Sequence, residues 1–336
     1  MQYVPAPHAP TPDNPLPDPN TDLEELQASN WTERANPAAA SLKAIGFNGS
    51  IFCAVGEIQG GAGDAYIVTS PDAVTWTERT NPRAIPLNGI AWNGSLFAAV
   101  GDADGTDAYI VTSPDGTTWT ERSNPKNVNL RGIVWNGSLF LAVGNDEPAT
   151  DSYIVTSPDG ITWTERSNPK NFPLLSVAWN GSLFVAVGAA DGTDAYIVTS
   201  PDGTTWTERS NPKNFNLRGV TWNKFWSRFV AVGDADGTDG YILTSPDGIA
   251  WTERTNPLNL YISGVACSGG GILVGAGNVT SSPAYLLTSR DGGVTWILRQ
   301  HPKLSVMNAV IWSGRCFVIV GNSDGTDAYI LTSLSR

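Results

Sequence analysis

A tryptophan-centred phrase recurs along this chain and constrains its fold more than any other feature. The phrase is clearest around Trp206, where the sequence reads TSPDGTTWTERSNPKNFNLRGVTW. Its seven copies are spaced 43 to 45 residues apart, with the first tryptophan at Trp31, Trp76, Trp119, Trp163, Trp206, Trp251 and Trp296. Repeats of this length, rich in β-branched and aromatic residues and interrupted by Asn-Gly and Asp-Gly, are typical of four-stranded propeller blades. The sequence therefore predicts an all-β, seven-bladed β-propeller.

Each repeat divides into four short antiparallel strands, which we call A, B, C and D. In the repeat that ends at Trp206, we predict strand A at 174–179, strand B at 182–188, strand C at 195–200 and strand D at 205–210. Asn180-Gly181 is expected to form a two-residue hairpin turn between A and B, because both positions tolerate positive φ. Strand B is nearly all apolar, as expected for a strand covered on both faces.

The two ends of the repeat region complement each other. Residues 30–36 supply a D strand with no A, B or C before it, whereas residues 306–312, 316–321 and 328–333 supply A, B and C with no D after them. Joining these pieces completes a seventh blade and leaves no open sheet edge. We therefore predict a single propeller domain at 29–336, closed by its N-terminal strand.

An Asp-centred motif precedes six of the repeated tryptophans. Residues 289–296 read SRDGGVTW, and five other repeats carry a version that is one residue shorter. The motif resembles the Asp-box repeat of sialidase-like propellers. This resemblance implies a structural turn, on the face opposite the usual ligand face, in which the Asp accepts backbone N–H bonds and the Trp packs between sheets. The residues expected in this role are Asp72, Asp115, Asp159, Asp202, Asp247, Asp291, Trp76, Trp119, Trp163, Trp206, Trp251 and Trp296.

Composition argues against several classes of function. The formal charge is −12, which disfavours a nucleic-acid backbone or an anionic membrane as partner. No apolar run approaches the ~18 residues needed to cross a membrane, and the N-terminus lacks the basic start and apolar stretch of a signal peptide. Cys53, Cys267 and Cys316 have no metal-ligand or redox spacing, so we expect small buried residues and no cofactor.

The sequence predicts no catalytic residues. A sialidase-like enzyme would need three arginines, a Tyr–Glu pair and an Asp at unique positions on different blades. The arginines here belong to the repeat and occupy strand D, where we expect them to pair with the adjacent glutamates. They are Arg34, Arg79, Arg122, Arg166, Arg209, Arg254 and Arg299.

Acidic loops between strands B and C suggest a second kind of site. Oxygen ligands at alternating positions beside a glycine are a pattern that Ca²⁺ favours, although no bidentate Glu stands at a suitable distance. Ordinary Asp-Gly turns are the favoured interpretation, and calcium is the alternative. The candidate ligands are Asp102, Asp104, Asp107, Asp234, Asp236 and Asp239.

Loops between strands D and A, predicted on the same face as the B-to-C loops, suggest a ligand rim. Repeated amide, cationic and aromatic side chains could bind a glycan or a protein partner. Alternatively, Asn-Pro ends the strand, and the two phenylalanines cap the seam between blades. The candidate rim residues are Lys126, Asn129, Arg131, Lys170, Phe172, Lys213, Phe215, Asn216 and Arg218.

A proline-rich leader at 1–28 precedes the repeats, with seven prolines before residue 20. Such a segment favours an extended polyproline conformation without a core of its own. We expect it to be a docking arm that binds a protein partner, with Tyr3, Val4, Pro5 and Pro7 as contacts. An arm joined to a repetitive disc resembles accessory proteins of tailed bacteriophage virions.

The sequence thus predicts a non-catalytic structural or interaction protein, located in a virion and made in the host cytoplasm. A lectin-like propeller that binds glycans or a receptor is the alternative. A sialidase-like glycoside hydrolase is a less favoured one.

Overall fold

The computed structural model describes residues 30–58, 65–145, 152–278, 285–299, 305–323, 325 and 328–333. These residues form 28 β-strands in seven four-stranded antiparallel sheets and contain no helix, so no described helix could cross a membrane. The predicted seven-bladed propeller is confirmed. The predicted docking arm at 1–28 lies outside the described residues.

The first three blades follow one another along the chain, each with its strands in the order A, B, C, D. Blade 1 contains β2 (Leu42–Phe47), β3 (Phe52–Ile58), β4 (Ala65–Ser70) and β5 (Thr77–Arg79). Blade 2 contains β6 (Leu87–Trp92), β7 (Phe97–Ala103), β8 (Ala108–Ser113) and β9 (Thr120–Arg122). Blade 3 contains β10 (Asn129–Trp135), β11 (Phe140–Asn145), β12 (Ser152–Ser157) and β13 (Thr164–Arg166).

The next three blades repeat this order. Blade 4 contains β14 (Leu174–Trp179), β15 (Phe184–Ala190), β16 (Ala195–Ser200) and β17 (Thr207–Glu208). Blade 5 contains β18 (Leu217–Asn223), β19 (Arg228–Ala235), β20 (Gly240–Ser245) and β21 (Thr252–Arg254). Blade 6 contains β22 (Tyr261–Cys267), β23 (Leu273–Asn278), β24 (Tyr285–Ser289) and β25 (Ile297–Arg299).

Blade 7 joins the two ends of the repeat region. Its A, B and C strands are β26 (Met307–Trp312), β27 (Phe317–Ser323) and β28 (Ala328–Thr332), and its D strand is β1 (Thr32–Glu33). Thr32 pairs with Thr332 and Glu33 pairs with Leu331 in antiparallel register. The predicted closure of the ring by an N-terminal strand is therefore confirmed.

The A-to-B connection is longer than the predicted two-residue turn. In blade 4, Trp179 pairs with Phe184, which leaves residues 180–183 as a four-residue connection. The Asn180 side-chain oxygen accepts the N–H of Ser182 at 2.8 Å and that of Leu183 at 2.7 Å. Because these two residues are held in the turn, strand B begins two residues later than predicted. Strands A and C of this blade have the predicted bounds, whereas strand D is shorter than predicted, at Thr207–Glu208.

The core lies in the seams between neighbouring blades. Seven clusters of buried apolar side chains each combine residues of two adjacent sheets, including the pair formed by blades 7 and 1. At the seam of blades 3 and 4, the ring centroids of Phe184 and Trp206 lie 6.4 Å apart. Cys53 and Cys316 are buried and Cys267 is partly buried, and all three are free thiols. Each sheet is thus covered on both faces, which explains the continuous apolar sequence of strand B.

The Asp-centred turn is held by its own side chains. Asp115 Oδ1 accepts the backbone N–H of Thr117 at 2.8 Å and that of Thr118 at 2.9 Å, and it accepts the Ser113 hydroxyl at 3.0 Å. A hydrogen bond from the Thr117 side chain lowers the pKa of Asp115 most. Together with the backbone N–H bonds, it holds this pKa well below its usual range. The same turn recurs at Asp72, Asp159, Asp202, Asp247 and Asp291.

The tryptophan that follows each Asp is buried against the neighbouring sheet. Trp119 Nε1 donates to the carbonyl of Gly116 at 3.2 Å, and the same bond forms at Trp163, Trp206, Trp251 and Trp296. Blade 1 differs, because Ala73 stands where these blades have glycine and adopts a φ of 60°. There the buried Trp76 Nε1 has no hydrogen-bond partner among the described residues.

Every A strand carries a β-bulge at its entrance to the sheet. In β14, Leu174 pairs with Gly188 and Ser176 pairs with Val187, so Leu175 between them faces no residue of strand B. The A strands of the other six blades show the same shift. A bulge leaves one residue out of the ladder and re-aims its side chain.

A glycine near the end of strand B makes room for this bulge. A Cβ atom at Gly188 would lie 1.8 Å from the carbonyl oxygen of Pro173, and one at Gly101 would lie 2.0 Å from that of Pro86. Neither contact is possible without moving the backbone. The repeated glycine after the apolar strand-B sequence is therefore a requirement of the bulge.

We expect Gly188→Ala to destabilise the protein by about 1–3 kcal/mol, because the added methyl group meets backbone. Gly46→Ala is the matched control, since the nearest atom to its Cβ would be a side-chain carbon of Ile90 at 3.3 Å. Urea denaturation of both variants measures the free energies of unfolding. Wild-type stability of the Gly188 variant would show that the bulge does not depend on the glycine.

Candidate functional site

The seven bulge residues surround one end of the central channel. This channel end is a cavity of about 290 Å³ lined by the A strands of all seven blades. It opens on the face built by the B-to-C and D-to-A loops, which we call the channel face. The bulge residues, which we call the mouth ring, are Lys43, Asn88, Arg131, Leu175, Arg218, Ser263 and Asn308.

Below the mouth ring, the residues that line the channel are nearly all apolar. The next residue of each A strand is small: Ala44, Gly89, Gly132, Ser176, Gly219, Gly264 and Ala309. The residue after it is aliphatic: Ile45, Ile90, Ile133, Val177, Val220, Val265 and Val310. Polar recognition is thus confined to the mouth, because the deeper walls offer only backbone groups, apolar side chains and the hydroxyl of Ser176.

Blades 1 to 3 share a continuous polar network at the mouth. Lys43 Nζ lies 2.6 Å from Glu57 Oε1 and donates to Asn88 Oδ1 at 3.2 Å. Asn88 Nδ2 donates to Asp102 Oδ1 at 2.7 Å, and Arg131 Nη1 reaches the same oxygen at 2.9 Å. Both members of the Arg131–Asp102 pair remain partly exposed. The network fixes the side chains while leaving charged groups within reach of a ligand.

Blade 5 contributes a second exposed cation to the mouth. Arg218 forms an ion pair with Asp234, and its guanidinium lies 5.1 Å from the ring centre of Tyr261 in blade 6. Asn216 Nδ2 donates to the other oxygen of Asp234 at 2.8 Å. The Arg218 side chain is 42% exposed, so stacking and pairing orient it without burying it.

Blade 4 interrupts the polar mouth ring. Leu175 occupies the bulge position there, and Ala189 stands where blades 2 and 5 place Asp102 and Asp234. The mouth therefore has one apolar notch between the cations Arg131 and Arg218. The mouth ring is thus chemically asymmetric, although the framework that holds it repeats.

Outside the mouth, cations of the D-to-A loops bind pairs of carboxylates. Lys170 Nζ lies 2.7 Å from Asp191 Oδ2 and also contacts Glu208. Lys213 bridges Asp236 and Glu253 in the same way, as Arg83 does with Asp104 and Glu121. Each bridge ties a D-to-A loop to the blade that follows it.

These bridges shift the pKa values of the residues that form them. The Lys170 ammonium lowers the pKa of Asp191 to about 2, and the hydrogen bonds that Lys170 donates to Asp191 and Glu208 raise the pKa of Lys170. The depressed pKa of Asp191 means that this bridge stabilises the fold above pH 3.8 and is lost as the pH falls towards 2. Asp194 behaves differently, because burial raises its pKa.

The structure brings the predicted rim residues together on the channel face, where most of them anchor loops. Phe172 packs 6.1 Å from the ring of Tyr196, and Phe215 packs 6.3 Å from that of Tyr241. Asn129 and Asn216 accept the backbone N–H of Ala103 and Ala190, each at 2.8 Å. Lys126 lies 5.6 Å from the ring centre of Tyr153, whereas Lys170 and Lys213 form the bridges described above. Arg131 and Arg218 are the predicted rim residues that also line the channel.

The six calcium candidates separate into two groups. Asp102 and Asp234 pair with Arg131 and Arg218 of the mouth ring. The other four hold loops. Asp104 Oδ1 accepts the N–H of Thr106 and Asp107, Asp236 Oδ1 accepts those of Thr238 and Asp239, and Asp107 and Asp239 each accept a backbone N–H of the D-to-A loop that follows.

Carboxylate oxygens do converge on the outer rim, at Asp191, Asp194 and Glu208 and at Asp236, Asp239 and Glu253. In each cluster a lysine ammonium already contacts two of the three residues. A calcium ion would have to compete with that lysine. Calcium binding stays the less favoured alternative to ordinary turns.

The strand-D arginines have partners other than the predicted glutamates. Each donates from Nε to a threonine hydroxyl of strand C, at 2.7 to 2.9 Å; the donors are Arg34, Arg79, Arg122, Arg166, Arg209, Arg254 and Arg299. Successive residues of a strand point to opposite faces, which keeps the arginine of each Thr-Glu-Arg sequence from its adjacent glutamate. Glu121, Glu208 and Glu253 contact the loop cations instead. These arginines lie on the outer strands of seven different blades, away from the channel.

Sequence reasoning missed five members of the mouth ring: Lys43, Asn88, Leu175, Ser263 and Asn308. The signal was present in the repeat. The residue that follows the first aliphatic residue of strand A varies among Lys, Asn, Arg, Leu and Ser, whereas its neighbours are nearly constant. A variable position inside a nearly constant strand indicates a side chain whose identity the repeated fold does not fix.

Comparison with known proteins supports the architecture. Residues 27–178 match the family model described as the DUF6242 beta propeller domain. No curated protein matches the chain significantly. The solved structure of "YCF48 bound to D1 peptide" is similar to this protein, with a TM-score of 0.70 and 18% identity over 92% of this chain and 98% of that chain. At that identity the similarity shows a shared propeller fold, and the Asp-box and phage resemblances stay predictions.

Proposed function

We propose that this protein is a non-catalytic interaction protein whose channel mouth binds an extended segment of a partner polypeptide. One observation carries the proposal. A framework that repeats seven times presents five different residue types at its seven bulges. Repetition serves the fold, so the departures at these positions are available for recognition.

The mouth ring and the carboxylates that pair with it suit a polypeptide, because together they offer both donors and acceptors. Lys43, Arg131 and Arg218 can donate to peptide carbonyls or carboxylates, and the carboxylates of Asp102 and Asp234 can accept peptide N–H groups. An extended peptide presents N–H and C=O groups in alternation, together with side chains. Leu175 would receive an apolar side chain of the partner.

The ion pairs of the mouth can open at small cost. Arg131, Asp102, Arg218 and Asp234 are each about a quarter to two fifths exposed. Exposed pairs of this kind contribute about 0–1 kcal/mol to stability. A peptide can therefore take over one partner of a pair and gain hydrogen bonds without a large penalty.

A glycan is less well served by this surface. Sugar-binding sites stack apolar sugar faces on aromatic rings, and none of the residues that line the described channel end is aromatic. Phe172 and Phe215, on which the glycan alternative relied, are partly buried against Tyr196 and Tyr241. The similar solved propeller, YCF48, holds a bound peptide, which is a property of that protein and agrees with the direction of this proposal.

The test is to select peptides from a random decapeptide library on the full chain and to measure their dissociation constants by fluorescence anisotropy. We expect Arg131→Gln and Arg218→Gln each to weaken binding about tenfold or more. The reason is that losing one charge-assisted hydrogen bond costs ~1.5–3 kcal/mol.

Arg122→Gln is the matched control, because it makes the same chemical change on an outer strand, where Arg122 bonds Thr112 at 2.8 Å. Its peptide affinity should equal that of the wild type. Equal losses in all three variants, or selected peptides that ignore the mouth ring, would refute the site. A glycan array on the same protein measures the lectin alternative.

We also propose, from the sequence alone, that the leader at 1–28 docks the propeller in a larger assembly and that this assembly is a phage virion. A chain that starts at Thr21 keeps β1 and should fold as a seven-bladed disc. It should fail to join the assembly, because Tyr3, Val4, Pro5 and Pro7 are removed. Incorporation at the wild-type level, measured by quantitative mass spectrometry of purified particles, would show that the arm is not the anchor.

A further inference from the structure

The face opposite the channel mouth is chemically uneven. This face, which we call the turn face, is built by the A-to-B connections and the Asp-centred turns. In blades 1 to 4 these connections contain no Lys or Arg. In blades 5 to 7 the connections and the first residue of β19 bring four basic residues to the turn face: Lys224, Arg228, Arg290 and Arg315.

An enlarged turn in blade 5 forms the centre of this basic patch. Residues 223–228 read NKFWSR where blades 2 to 4 have Asn-Gly-Ser-Leu. The buried Asn223 donates from Nδ2 to the carbonyl of Gly271 at 2.9 Å, and its Oδ1 accepts the N–H of Trp226 at 3.2 Å. These bonds fix the turn against blade 6. Phe225 packs edge-on against Trp226, with ring centres 5.4 Å apart, yet remains 45% exposed.

Exposed aliphatic side chains extend the patch outward. Ile249 in the Asp-centred turn of blade 5 is 49% exposed, and Ile297 and Leu298 at the start of β25 are 49% and 46% exposed. The other complete blades place Thr and Glu at the two β25 positions. Blades 5 and 6 therefore join exposed apolar groups to exposed cations, a combination that the described turns of blades 1 to 4 lack.

We infer that the acidic part of the leader, residues 13–26 of the same chain, docks on this patch of the turn face. The leader contains Asp13, Asp18, Asp22, Glu24 and Glu25 and has no Lys or Arg. Leu16, Leu23 and Leu26 are interspersed with these carboxylates. Acidic and apolar groups thus match the basic and apolar groups of Lys224, Phe225, Ile297 and Leu298.

The geometry of β1 brings the leader to this face. Thr32 pairs with Thr332, the last residue of β28, which is the end of strand C that leads to the Asp-centred turn in other blades. The chain therefore reaches β1 from the turn face. Leu26 is four residues from Asn30, and an extended chain spans ~3.3–3.6 Å per residue, so the acidic stretch can reach along blades 7, 6 and 5.

Tethering favours the chain's own leader over a second copy. A segment joined by a short linker meets its site at an effective concentration of the order of millimolar. This docking goes beyond the proposed channel-mouth function, because it involves the opposite face. It leaves residues 1–12, with Tyr3 and Val4, available to an outside partner.

Hydrogen exchange of the full chain, followed by mass spectrometry, tests the inference through the amides of residues 20–28, which contain no proline. We expect the exchange rates of these amides to be about ten or more times lower in the wild type than in the double variant Lys224→Glu, Phe225→Ser. Ser95→Glu is the control, because it introduces a glutamate into an exposed turn of blade 2, away from the basic patch. It should exchange like the wild type, and a thermal melt verifies that all variants fold.

A charge swap makes the test specific. Asp22→Lys, Glu24→Lys and Glu25→Lys introduced together should abolish protection in the wild-type background and restore it when combined with Lys224→Glu and Arg315→Glu. Exchange at the unstructured rate in the wild type would overturn the inference. Protection that increases with protein concentration would also overturn it, since the occupant would then be the leader of a second copy.

Discussion

The packing of each sheet against its two neighbours is the interaction on which the rest of this structure depends. Each of the seven apolar clusters contains residues from two blades, so no blade completes a core by itself. The ring is continuous because β1, from one end of the described chain, pairs with β28 from the other. Closure supplies the last seam, and it holds the seven A strands around one channel.

The bulges convert this repeated ring into a surface with its own chemistry. Gly188 and its counterparts allow strand A to approach strand B so closely that one residue leaves the ladder. That residue faces the channel mouth and is not required for the core. Its identity can therefore change from blade to blade, from Arg131 to Leu175 to Arg218, without disturbing the seams. Fold and recognition are carried by different positions of the same strand.

The repeat made the fold predictable, whereas the contacts between blades could not be predicted from it. The Trp spacing and the orphan strand at 30–36 predicted seven blades and their closure, because both are local features of the sequence. The predicted A-to-B connection was too short, since the Asn180 side chain holds two further residues in the turn. The partners of the strand-D arginines and five of the seven mouth-ring residues were missed, because strand C, the bulges and the channel become neighbours only in the closed ring.

Site-specific photo-crosslinking tests the central claim, recognition at the channel mouth, most directly. A photoreactive phenylalanine analogue at Leu175 places the probe in the mouth ring, and the same analogue at Ile161, which is 48% exposed, places it on the turn face. A library-selected peptide should crosslink to the probe at Leu175 and not to the probe at Ile161. Crosslinking at Ile161 alone, or equally at both positions, would contradict the account.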